Sequence, residues 1–222
     1  MKMISEQFFS AYEKAFSFTT VYRSTLPAEM LTFPPDKDGV IRWKTIPGTL
    51  KRSQYNQLEH QFNVRFPESF ITWHQAYFFL DGDCAIVRLP YSNPQEPLGE
   101  IKNQLDWSLA QALISQQLYP FAEDGNDTGP WVFDGRTSAL QNEFPVRVYD
   151  HDFGGDEAGL SEVIFSSFPK MMECLTHYMQ ELTVRKPFNI LQDFFGIDPE
   201  GAGKTGIEYW HNLMEMLEQN DC

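Results

Sequence analysis

Three apolar runs crowd the middle of the chain: Tyr119–Ala122, Trp131–Asp134 and Val146–Asp150, with Gly- and Asp-rich turns between them. Runs this short read as strands, and the alternation of Val146, Arg147, Val148 and Tyr149 has the two-residue period of a half-buried antiparallel strand. Helical periodicity dominates on both sides of them. Strands that cluster without regular alternation with helices predict an α+β fold with a mainly antiparallel sheet, not a doubly wound parallel one.

Outside this block, apolar spacing of three to four predicts helices. The first spans residues 4–22, with Ile4, Phe8, Tyr12, Ala15, Phe16 and Tyr22 on one stripe. Pro27 and Pro34-Pro35-Asp36 mark an irregular connection, and Val40–Trp43 reads as a short strand ended by Pro47-Gly48. Ser53 can cap a helix carrying Tyr55, Leu58 and Phe62. Pro67 suits the first position of a helix with Phe70, Ile71, His74, Tyr77 and Phe78, stopped by Asp81-Gly82 before a strand from Cys84 to Leu89. Further helices are predicted from Ile101 to Leu113, from Phe165 to Thr183, from Phe188 to Phe195 and over residues 205–219. The expected organisation is one domain, 1–222.

The chain carries 31 acidic and 17 basic residues, a net charge of −14. Clustered Lys and Arg would be needed to hold phosphates, so nucleic acid and anionic membrane surfaces are poor partners; a basic protein is a better one. Ten of the acids lie between Phe121 and Glu162 against two arginines, Arg136 and Arg147, so that window holds 10 − 2 = 8 of the negative charges. Cys84, Cys174 and Cys222 are far apart and odd in number, which suits a reducing compartment. The N-terminal stretch has no apolar signal-peptide core, and no run approaches a membrane span. A cytoplasmic protein is expected.

Chemistry-bearing motifs are few. Gly203-Lys204-Thr205 lacks the Gly five positions before Gly203 that a phosphate loop needs; that position is Asp198. Asp150-His151-Asp152, with Asp156 and Glu157 near, offers metal-ligand types, but adjacent residues on a strand face opposite ways and the calcium-loop spacing is missing. A strand-ending turn with solvated acids accounts for them better. There is no GxSxG elbow, and His60, His74, His177 and His211 fall in predicted helices among aromatics. Asp124-Gly125-Asn126-Asp127-Thr128-Gly129 is a turn by composition and a candidate acidic recognition loop.

Four pieces in order resemble the SUKH superfamily, which includes Smi/Knr-type cell-wall regulators and bacterial immunity proteins. They are Tyr55, Leu58, Glu59 and Phe62 leading to Arg65-Phe66-Pro67-Glu68-Ser69-Phe70; Tyr119-Pro120-Phe121-Ala122 with Asp124-Gly125-Asn126 and Trp131-Val132-Phe133-Asp134; Pro145-Val146 running to Tyr149-Asp150-His151-Asp152; and Phe165-Ser166-Ser167-Phe168. They span about residues 40–183, leaving helix 4–22 and a helical extension over 187–220 outside the pattern. Thr128-Gly129-Pro130 stands where the family often has Gly-Asp, and Ala122 replaces a common Gly.

The resemblance implies a curved sheet backed by helices and a protein-binding role, with neither enzymatic turnover nor a cofactor. Its bacterial members imply an antidote that neutralises a toxin, and nuclease toxins are basic. The interface expected on this chain is Glu123, Asp124, Asp127, Asp134, Asp150 and Asp152. The alternatives are a general regulatory or scaffold protein and, on the residues alone, a metal-dependent hydrolase using Asp150, His151 and Asp152. The partner's identity, the oligomeric state and the role of the C-terminal helices are not legible.

Overall fold

A computed structural model describes residues 2–16, 27–33, 42–137 and 142–220. The fold is α+β. Four antiparallel strands lie in the order β3 (Val87–Arg88), β4 (Leu118–Asp124), β5 (Pro130–Asp134) and β6 (Val146–Val148). A separate ribbon pairs β1 (Ile46–Pro47) with β2 (Tyr77–Phe78).

Strand β4 is buried on both faces, with Glu123 its one exposed residue, which is why its sequence reads as an apolar run and not an alternation. Pro120 has no N–H for the ladder, and prolines inside sheets sit at bulges. The register shifts directly after it, from Pro120 opposite Val132 to Ala122 opposite Trp131. The extra residue, Phe121, lies on the Phe133 ring at 3.8 Å. Helix α3 (Glu68–Ala76) brings Phe70 onto both rings, and Phe168, at the start of α6 (Phe168–Glu181), meets them from the same side. The opposite face of the sheet packs Leu118, Val132 and Tyr149 against Leu109 and Leu113 of α5 (Ser108–Ser115).

The elements outside the family-like pattern join the same apolar cluster as the sheet. Helix α1 (Lys2–Ala15) stacks Phe9 flat on Trp73 at 6.0 Å. Helices α7 (Pro187–Leu191), α8 (Phe194–Ile197) and α9 (Ile207–Asn220) contribute Ile190, Leu191, Phe194 and Trp210, all buried. The Trp210 indole donates to the Ile164 carbonyl at 3.1 Å.

Several boundaries differ from expectation. Helix α1 ends at Ala15; Tyr22 and the strand residues Val40 and Ile41 lie outside the described residues. Ser53 sits inside α2 (Arg52–Phe62), where the Gln54 carboxamide accepts from the Lys51 amide at 2.9 Å and supplies the start signal instead. Tyr77 and Phe78 leave the helix to pair with β1. The expected strand from Cys84 shrinks to two residues, because Asp81 and Asp83 side chains accept the Asp83 and Ala85 amides and Ala85 takes a positive φ of 67°. The single helix predicted over 101–113 is two, α4 (Gly99–Leu105) and α5. At the break the Trp107 indole and the Gln111 carboxamide donate to the Gln104 and Leu105 carbonyls. Helix α6 starts at Phe168 because Ser167 accepts the Lys170 amide as its cap.

Candidate functional site: an acidic sheet end

The β4–β5 turn, the end of β6 and two 3-10 turns, His151–Phe153 and Glu157–Gly159, meet at one end of the sheet. Backbone bonds lock them together. The Tyr149 amide donates to the Pro130 carbonyl at 2.9 Å, the His151 amide to Thr128 at 3.0 Å, and the Asp150 amide to Gly159 at 2.8 Å. Gly129 is required where the segments cross: its φ is 143°, and a Cβ there would lie 2.3 Å from the Tyr149 carbonyl oxygen.

The structure divides the six expected interface acids into two groups. Asp124 and Asp134 are only 3% and 1% exposed and serve the interior, which corrects their place in the expected interface. Asp124 Oδ2 accepts the Asn126 and Thr128 amides at 3.0 and 3.4 Å, shaping the turn. Its Oδ1 accepts the Trp131 indole at 3.1 Å and the Tyr209 hydroxyl at 3.0 Å. Asp134 is held by Arg136 at 2.9 and 3.0 Å and by Arg147 at 2.9 Å. Burial pushes the Asp134 pKa up, but the Arg136 bonds and charge, with Arg147, outweigh it and hold the carboxyl below its ordinary range. Buried carboxylates need such partners, and sequence order could not reveal that these two acids were inside.

Glu123, Asp127 and Asp152 are exposed and Asp150 is half-buried. None of the four forms an ion pair with Lys or Arg among the described residues, and Asp156, on the neighbouring turn, behaves alike. The cations of this window are turned elsewhere: Arg136 and Arg147 grip Asp134, with Arg136 also reaching Glu157 at 2.6 Å. The outer surface is therefore net negative, with Arg88, opposite Glu123 in the β3–β4 ladder, the cation beside it.

The Asp150-His151-Asp152 motif does not continue the strand. Strand β6 stops at Val148, and Asp150 caps the next turn by accepting the Asp152 amide at 3.0 Å. A strand-ending turn with solvated acids, the account the sequence favours, is what forms, and the alternation of a continued strand does not apply: His151 Nε2 lies 3.5 Å from an Asp152 oxygen, with both side chains open to solvent. Among the described residues no three His, Cys, Asp or Glu side chains are arranged to hold a metal ion.

The remaining motifs are structural. Gly201–Thr205 forms a π-helical turn; a Cβ at Gly201 would lie 2.2 Å from the Ser166 amide nitrogen. Asp198 accepts the amide and hydroxyl of Ser166 at 2.7 and 2.6 Å. His74 is fully buried and shares a 2.6 Å hydrogen bond with the Tyr55 hydroxyl. Desolvation lowers its pKa to about 3, offset only in part by the Tyr91 backbone. His177 and Arg185 both bind Asp193, clamping α6 to the α7–α8 segment. Cys84 and Cys174 are buried, and burial pushes both thiols up, away from reactivity.

Phe153 is not among the residues that the sequence singles out, yet it stands 47% exposed among these acids. An aromatic directly before Gly154-Gly155, at the tip of an acidic turn, is the signal that points to it. Comparison with protein-family models finds no match for the chain, and comparison with curated proteins finds none either.

Proposed function

We propose that this chain is a SUKH-like, non-enzymatic protein-binding module that uses the acidic sheet end to occupy a basic partner. In the immunity-like form of the reading, the partner is a basic toxin domain, nuclease-like in charge, that is neutralised stoichiometrically. One observation carries it: the two arginines of the acidic window fold inward onto Asp134, while Glu123, Asp127, Asp150, Asp152 and Asp156 face outward without Lys or Arg partners among the described residues. Such a net negative surface steers a basic partner over about 8 Å at physiological salt and speeds association. The order of the four family-like sequence pieces supports the same reading.

The test is capture of partners from the native host by the wild type and by a Glu123→Lys, Asp127→Lys, Asp152→Lys variant, each at low and high salt. Asp150 is left intact because it caps a turn. The expected result is one small basic protein, retained by the wild type at low salt and lost with the variant. Its toxicity on expression should be relieved by the wild type and not by the variant. Retention unchanged by the triple reversal overturns the reading.

A further inference from the structure

The same sheet end carries an apolar feature that the charge does not explain. A cleft of about 230 Å³ opens beside Phe153, lined also by Thr128, Val148, Leu160, Ser161 and Tyr209. Small-molecule sites run from about 300 Å³ upward, so this volume suits one inserted side chain. Asp150 lines the cleft, and Asp152 and Asp156 flank Phe153 on the two turns.

Phe153 is held firmly although its ring is exposed. Its amide donates to the Asp150 carbonyl at 3.3 Å, and its carbonyl accepts from the Asp156 amide at 3.0 Å. Gly159 packs beneath it so closely that a Cβ there would lie 2.7 Å from the Phe153 Cβ. An aromatic ring on a fixed turn gives up little freedom when it is covered, the property of an interface anchor. Tyr209 contributes its ring and not a free hydroxyl, since that hydroxyl already donates to Asp124.

We propose that Phe153 and its cleft select the partner: they receive a single large apolar side chain from a segment in which Lys or Arg flank that residue. Charge complementarity names the flanks and the cleft names the centre. The proposal rests on the acidic end being the binding face.

Two nine-residue probe peptides test it, each with four Lys or Arg residues flanking a central Leu in one and a central Gly in the other. Their binding to the full chain is measured by fluorescence anisotropy at low salt. The Leu peptide is expected to bind at least fivefold more tightly, and Phe153→Ala to erase that difference with an unchanged urea unfolding midpoint. Equal binding of the two peptides to the wild type overturns the cleft and leaves the acidic face standing. A Leu preference that survives Phe153→Ala also overturns it, by placing the selective contact elsewhere. Failure of both peptides to bind counts against the acidic face as well.

Discussion

The Tyr209 hydroxyl on the last helix donates to Asp124 Oδ1 at 3.0 Å, joining two residues 85 positions apart in the chain. The same carboxylate shapes the β4–β5 turn and receives the Trp131 indole. One buried acid thereby ties the central hairpin to the C-terminal helix. Burial, then the Asp124 charge and hydrogen bond, drive the Tyr209 pKa upward, so the phenol stays protonated as the donor.

Tyr209→Phe removes one of four donors to Asp124 and should cost about 1 kcal/mol in urea unfolding. Asp124→Ala leaves all four without an acceptor and should cost about 3 kcal/mol. Equal losses for the two variants would contradict the hub assignment.

Asp134→Asn should be less stable by about 2 kcal/mol, below the 3–5 typical of breaking a fully buried pair because Arg136 and Arg147 can still reach water. The depressed carboxyl also sets an acid limb. Its stabilisation is present above the unfolded value of 3.8 and is lost as pH falls through the lower folded value. In Asp134→Asn that limb should flatten.

His74 acts at higher pH. Its folded pKa of about 3 lies below the ordinary 6.5, so between those values the unfolded chain binds a proton that the folded chain refuses. Its contribution is complete above 6.5 and declines as pH falls, by at most about 1.4 kcal/mol per pH unit. Unfolding free energies measured from pH 7 to 4.5 should show that slope in the wild type. His74→Gln should remove about one proton's worth of it.

Phe121 and Phe153 should behave oppositely in the same unfolding assay. Phe121→Ala empties the stacked pair with Phe133 and should cost about 4 kcal/mol. Phe153→Ala removes a ring from the surface and should change stability by less than about 0.5 kcal/mol.

Much of the middle of the chain is legible in the order of its residues. The runs around Tyr119, Trp131 and Val146 form β4, β5 and β6, paired antiparallel in chain order, and the short turn between β4 and β5 makes that hairpin a local one. Local patterns serve there because short-range hydrogen bonding and side-chain period decide a hairpin. Tyr77 and Phe78 read as helix because their spacing continues that of α3, while the partner that draws them into a strand, Ile46–Pro47, lies about 30 residues upstream. The break between α4 and α5 is hidden likewise, since side chains of Trp107 and Gln111 satisfy carbonyls that a continuous helix would have used.

By itself the sequence determined the α+β class, the hairpin positions and the concentration of negative charge between Phe121 and Glu162. Only the tertiary structure decided which of those charges face out. Asp124 and Asp134 read as surface turn acids, yet they are drawn inside because Trp131 and Tyr209 converge on Asp124 from β5 and α9, and Arg147 from β6 joins the adjacent Arg136 on Asp134. A carboxylate leaves water only where donors already wait, and that arrangement belongs to the packed fold and not to the local run of residues.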